Sequence, residues 1–155
     1  MPRLYTCSFE AVAITAVQDL FNLVAPTNQT VHIHELNLFQ TTDLGDAAEE
    51  VLRLRIRSGQ TSDGTGGAAG TEVPLDVDDP AAGTVVRTND ATTQASGGTI
   101  VTNWVDGWNI RVPYCKIWTP ETRPIIKGGR RATVEIVAAP ADSITASGCI
   151  TWSEG

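Results

Sequence analysis

The chain has little histidine, no paired cysteines, no long apolar run and a shortage of positive charge, and each shortage narrows the function. His32 and His34 are the only two histidines. With no others, most Ser-His-Asp and Cys-His arrangements are gone, which leaves any serine or cysteine nucleophile without a remote base. Cys7, Cys115 and Cys149 are odd in number, lack C-x-x-C spacing and each sit in an apolar or strand-like stretch. They read as reduced core thiols. No apolar run approaches the roughly 18 residues of a membrane span, and Met1-Pro2-Arg3-Leu4-Tyr5 lacks the basic stretch and apolar segment of a secretory signal. The expectation is a protein made and folded in a cytoplasm. Eleven basic residues against eighteen acidic ones give a net charge of -7. Such a field repels polyphosphate and anionic lipid, so neither nucleic acid nor membrane is an expected partner.

Helical signal is scarce as well. No window of three or four turns keeps an apolar face, and Gly or Pro interrupts nearly every candidate. Strand signal is plentiful. Leu52-Arg53-Leu54-Arg55-Ile56-Arg57 alternates three aliphatics with three arginines, the period that sends successive side chains to opposite faces of a half-buried strand. Val31 to Leu38 also alternates, but its apolar set changes parity around Glu35, as a β-bulge would cause. Val134 and Ile136, then Ile144, Ala146, Ile150 and Trp152, give two more strands around a turn at Ala138 to Asp142. β-Branched and aromatic residues suggest strands near 4–14, 84–88, 99–105 and 108–118. Thr15 to Pro26 fits both periods and is read as a turn followed by a strand.

Gly59 to Glu72 and Thr88 to Gly98 read as flexible surface loops, neither long enough to be a domain linker. The 155 residues fall within the length of one domain. About eight short strands with regular turn signals predict an all-β chain, residues 1–155 forming a single two-sheet β-sandwich or jelly roll with long Gly- and Thr-rich loops.

Candidate chemistry is sparse. His32 and His34 share a strand face and offer two metal ligands, with Glu35 available as a third only if the strand is bulged. Acidic pairs at Asp43 and Asp46, Glu49 and Glu50, and Asp78 and Asp79 have the donor type for calcium or glycoside chemistry. However, Asp76-Val77-Asp78-Asp79 lacks the glycine and terminal glutamate of an EF-hand, and such loop acids usually face solvent. Gly64 to Gly70 imitates a phosphate loop but lacks the following Gly-Lys-Ser/Thr. Asn28-Gln29-Thr30 matches a glycosylation acceptor, without consequence in a cytoplasm. No cofactor and no catalytic residue is expected, and the protein is read as non-enzymatic. Trp104, Trp108, Trp118 and Trp152 are the four tryptophans. Each fills a core or anchors a contact. Trp118 and Trp152 lie beside Pro120 and near the C-terminus, where a core is thinner; with Tyr5 in the N-terminal strand they are the expected interface residues.

Ala16-Val17-Gln18-Asp19-Leu20-Phe21-Asn22-Leu23-Val24-Ala25-Pro26, Val31 to Leu38 running into Gln40-Thr41-Thr42-Asp43-Leu44-Gly45-Asp46-Ala47, and Ala141-Asp142-Ser143-Ile144-Thr145-Ala146-Ser147-Gly148 together resemble small virion proteins of tailed bacteriophages, of the capsid decoration or cement type. The resemblance implies a β-rich protein on the capsid exterior that bridges major capsid protein subunits and braces the head, as a homodimer or homotrimer. It transfers no site residue. Acidic charge agrees with an exterior position. An edge strand, with Pro2 to Phe9 as the candidate, could pair with a capsid strand. The alternatives are a tail- or fibre-associated β-domain and a carbohydrate- or small-ligand-binding sandwich.

Overall fold

The structure, a computed structural model, describes residues 2–41 and 49–155. Twelve strands follow one another: β1 (Arg3–Ile14), β2 (Gln18–Val24), β3 (Val31–Gln40), β4 (Val51–Ser58), β5 (Ala68–Ala69), β6 (Val73–Pro74), β7 (Val85–Asp90), β8 (Val101–Asn109), β9 (Tyr114–Ile117), β10 (Ile125–Ile126), β11 (Arg131–Ile136) and β12 (Ile144–Glu154). Eight of them have six residues or more, which agrees with the strand number expected. All pairings are antiparallel.

Two six-stranded sheets result. The first runs β10-β3-β12-β1-β6 with β9 also on β3, and the second runs β5-β7-β2-β11-β4-β8. The pairing of β1 with β12, β2 with β11, β3 with β9 and β4 with β8 is that of one long hairpin rolled up on itself. This is the jelly-roll arrangement of the β-sandwich. The short strands β5 and β6, together with β7, are inserted between β4 and β8 and extend the β1 and β2 side of both sheets.

The core follows from alternation. Tyr5, Cys7 and Phe9 of β1, Leu52, Leu54 and Ile56 of β4, and Ile150 and Trp152 of β12 are buried in one hydrophobic cluster with side chains of both sheets. Burying such a set from both sheets is the main favourable term in the fold. The parity change in β3 is a register shift against Thr151 and Trp152, with His34 as the extra residue. β2 confirms the strand reading of its ambiguous segment, and its pattern has a cause: a register shift against Val134 and Glu135 inserts Leu20 beside Phe21. Six of its seven residues are buried because a loop covers its outer face as well.

Three expectations are corrected. The break between the strands expected near 99–105 and 108–118 lies instead at 110–113, where Asn109 accepts the Arg111 amide on its side chain (3.1 Å) and the Val112 amide on its carbonyl (3.0 Å); β8 continues through Gly107. Of the cysteines only Cys7 is buried, Cys115 being exposed and Cys149 intermediate. The glycines of the 59–72 stretch serve close approach: a Cβ on Gly67 would lie 2.1 Å from the Thr88 carbonyl oxygen and one on Gly64 2.4 Å from that of Thr93.

Candidate functional site: the open β8 flank and the acid row beside it

Four sheet edges are set by the pairing order, and three are blunted. β5 and β6 have two residues each, and β9 and β10 have four and two. The length of β1 beyond β6 is interrupted by a bulge between Phe9 and Val12, where Ala11 takes a φ of 49° and donates its amide to Ser147 Oγ. Bulges and short edge strands are ordinary protection against unwanted pairing. β8 carries one bulge too, at Asn103, where its register against Ile56 and Arg57 shifts, but it is nine residues long, pairs only with β4 among the described residues, and contains no lysine or proline and a single charge, Asp106. Val101 and Val105 are 50% and 69% exposed.

Aromatics hold this edge against the other sheet. Trp104 of β8 packs edge-on against Trp118 at 5.3 Å between ring centroids and tilted against Tyr114 of β9 at 6.3 Å. Tyr114 donates its hydroxyl proton to Asp106 at 2.9 Å. Burial, then the hydrogen bond and charge of Asp106, push the Tyr114 phenol far up, so it stays a donor. Lys116 places its ammonium 5.9 Å from the Trp104 ring centroid, within reach of a cation–π attraction. At the start of β8 a cavity of about 260 Å³ lies between Ser58, Thr99, Ile125, Lys127 and Arg130.

Beside the flank, the outer face of the second sheet carries a polar row that sequence reading did not find. Cross-strand neighbours Asp90, Asp19, Glu135 and Arg55 follow one another on β7, β2, β11 and β4. Glu135 is fully buried and accepts from Arg55 Nε (2.5 Å), Arg57 Nε (2.8 Å) and Thr133 Oγ1 (3.1 Å). Arg87 holds Asp90 through two hydrogen bonds of 3.0 and 2.7 Å. Asp19 has no arginine; it accepts the Ala95 amide (2.7 Å) and the Gln94 side-chain amide (3.2 Å) from the loop laid over it. Burial pushes the Asp19 carboxyl up, those two hydrogen bonds pull it back, and the charges of Glu135 and Asp90 raise it again, to about 7. This row pins the 91–98 loop to the sheet, as Arg131, bound to Asp63 (2.6 Å) and to the Thr61 carbonyl (2.8 Å), pins the 59–67 loop. No local signal marked it, since its members come from separate strands and only pairing brings them together.

The expected interface residues are placed elsewhere. Tyr5, Trp118 and Trp152 are 2%, 6% and 0% exposed, all within the core, and none offers surface. Tyr5 and Trp152 stack on each other at 6.1 Å because β1 and β12 are neighbours in the middle of their sheet. The segment Pro2 to Phe9 is not a free edge either: β1 pairs with β12 along its length and with β6 at Tyr5 and Thr6. His34 is bonded through Nε2 to Ser153 Oγ at 2.8 Å, and burial, followed by Arg123, lowers both histidines below their usual range. Among the described residues no three His, Cys, Asp or Glu side chains converge as a metal site would require. Asp76 accepts the Asp78 amide in an exposed turn, and Asp79 faces Arg3 at 3.4 Å. Glu49 lies 3.8 Å from Arg111, and Glu50 accepts the Ala141 amide at 2.8 Å. Asp43 and Asp46 lie outside the described residues.

Comparison with known proteins adds little. No protein-family model matches the chain, and no curated protein matches it. Among solved structures, a chain from the crystal structure of the T13 IBDV viral particle aligns with 98% of this chain and 39% of its own length, at 14% identity and a TM-score of 0.14. A likeness that faint carries no argument.

Proposed function

We propose that this protein is a structural, non-enzymatic virion component that binds the outer surface of a tailed-bacteriophage capsid and stabilises the head lattice. The observation that carries the reading is β8, a nine-residue edge strand whose outer side is unpaired among the described residues, a feature suited to joining another protein. Support comes also from the virion-protein resemblance of the sequence and from the use of jelly rolls as capsid and lectin domains, the latter an analogy of fold alone. The major capsid protein is the proposed partner, and a homodimer or homotrimer the proposed form on the lattice. Weak contacts repeated by symmetry hold such a layer through avidity. The protein is made in the host cytoplasm and ends on the capsid exterior, where its net charge of -7 meets no packaged DNA.

A sugar-binding sandwich would present tryptophan to solvent. Here Trp108, Trp118 and Trp152 are buried and Trp104, half-buried, is taken up by Tyr114, Trp118 and Lys116, which ranks that reading lower. A tail or fibre component remains the competitor, and it would assemble with itself into rings or fibres. The test is to mix purified protein with expanded heads that lack it, then measure co-sedimentation and the head melting temperature. Saturable binding with a higher melting temperature is expected. Self-assembly without binding to heads would overturn the reading in favour of the tail component.

A further inference from the structure

We infer that β8 is a strand-addition site for an extended, acidic segment of a partner protein. The inference rests on the capsid-binding reading for the partner's source and deepens it by naming the docking element and the chemistry it selects.

An edge strand presents unpaired amide and carbonyl groups, and an added strand satisfies them with hydrogen bonds whatever its sequence. Beyond its bulge at Asn103, β8 runs in regular register from Trp104 to Asn109, a strand length that no other terminal strand among the described residues matches. Side-chain chemistry then selects the occupant. Arg53 is exposed and lies across from Gly107 on β8, so no side chain on β8 stands between it and the position beyond the edge. Lys116 sits over Trp104 on the inner side, and Lys127 and Arg130 line the cavity at the start of the strand. None of these four cations has an acidic partner in a salt bridge among the described residues. In contrast, Arg55 and Arg57 share Glu135, and Arg131 is paired with Asp63. A protein of net charge -7 therefore lines this edge with positive charge that has no salt-bridge partner among the described residues, against Asp106 on the strand itself.

The same arrangement argues against a second copy as the occupant. Two-fold pairing of β8 with itself would bring Arg53 and Lys116 of both copies to one seam, and like charges placed across a pair are destabilising. A strand with carboxylates at alternate positions suffers no such conflict.

The experiment uses the whole chain, labelled with ¹⁵N, and a peptide matched to the nine residues of β8 that alternates valine with glutamate. Expected are saturable shifts of the 101–109 amides, absent for the same peptide with lysine in place of glutamate and absent when alternate peptide amides are N-methylated. The double variant Arg53→Glu/Lys127→Glu, changed only at exposed positions and checked for an unaltered melting temperature, should bind about tenfold more weakly. Equal binding of the lysine peptide, shifts confined to other strands, or a dimer that protects β8 without peptide would each overturn the inference. If heads bind the protein but excess glutamate peptide does not compete, the inference fails and the capsid reading stands. If the peptide docks on β8 and heads do not bind, the reverse holds.

Discussion

Trp104 on β8 meets Trp118 edge-on, with ring planes at 74°, and this contact joins the free edge of one sheet to the margin of the other. Trp118 is buried and Trp104 half-buried, so truncating Trp104 to Ala removes apolar contact on one side only and should cost about 2 to 3 kcal/mol, somewhat less than a fully buried aromatic. The expected result is a folded variant with a lower melting temperature and faster amide exchange in β8 than in β2. Equal acceleration in the two strands would mean that the pair does not hold the edge locally.

Asp19 predicts a pH dependence with a definite sign. Its carboxyl rises from 3.8 to about 7 in the folded state, so the folded chain holds a proton that the unfolded chain releases. The stability this group contributes is fully present below pH 3.8 and is lost as pH rises through about 7. Asp19→Asn keeps an acceptor for the Ala95 amide and removes the titration. Its melting temperature relative to the parent should therefore climb between pH 5 and 8, by a few degrees (~2 to 4 °C for each kcal/mol in a chain of this size). A constant difference across that range would show that Asp19 does not titrate there.

Glu135 gives the opposite kind of test. It is fully buried between Arg55 and Arg57, and removing one member of such a group leaves charge without its counterpart. Glu135→Ala should cost about 3 kcal/mol, near the lower end for broken buried pairs because both arginines keep some access to water. Denaturant unfolding measures this directly, and a loss below about 1 kcal/mol would place Glu135 among ordinary surface pairs.

Gly67 tests whether the 59–72 segment is packed or merely flexible. Its Cβ would meet the Thr88 carbonyl oxygen at 2.1 Å and the Asn89 carbonyl carbon at 2.7 Å, both backbone atoms that cannot turn aside. Gly67→Ala is expected to destabilise by about 2 kcal/mol and to loosen the 59–67 loop. A neutral result would restore the flexible-loop reading.

The three thiols should separate by reactivity. Cys115 is exposed, while Cys7 is buried and burial pushes its thiol up to about 11, which suppresses the reactive thiolate. A thiol reagent at neutral pH should label Cys115 first and reach Cys7 only on unfolding. Cys149, intermediate in exposure and hydrogen-bonded with Thr6 Oγ1, falls between them.

Local pattern revealed the strands and hid their partners. The alternation in Leu52 to Arg57, the parity change beside His34 and the turn before β12 are all encoded within a few residues, so each was legible. The rolled pairing of β1 with β12 leaves no local trace. This explains why Tyr5 and Trp152, both expected at an interface, occupy the middle of a sheet. Asp19, Asp90 and Glu135 were hidden for the same reason, since the row they form exists only once β7, β2 and β11 align. The length of β8 was hidden as well, since the strands expected near 99–105 and 108–118 leave a gap at Asp106-Gly107 inside a strand that is continuous in the fold.

Amide exchange on the protein bound to phage heads tests the account most directly. The 101–109 amides of β8 are expected to become protected as the heads saturate, while outward amides elsewhere exchange as in the free chain. Protein bound to heads with β8 exchanging at its free rate would contradict it.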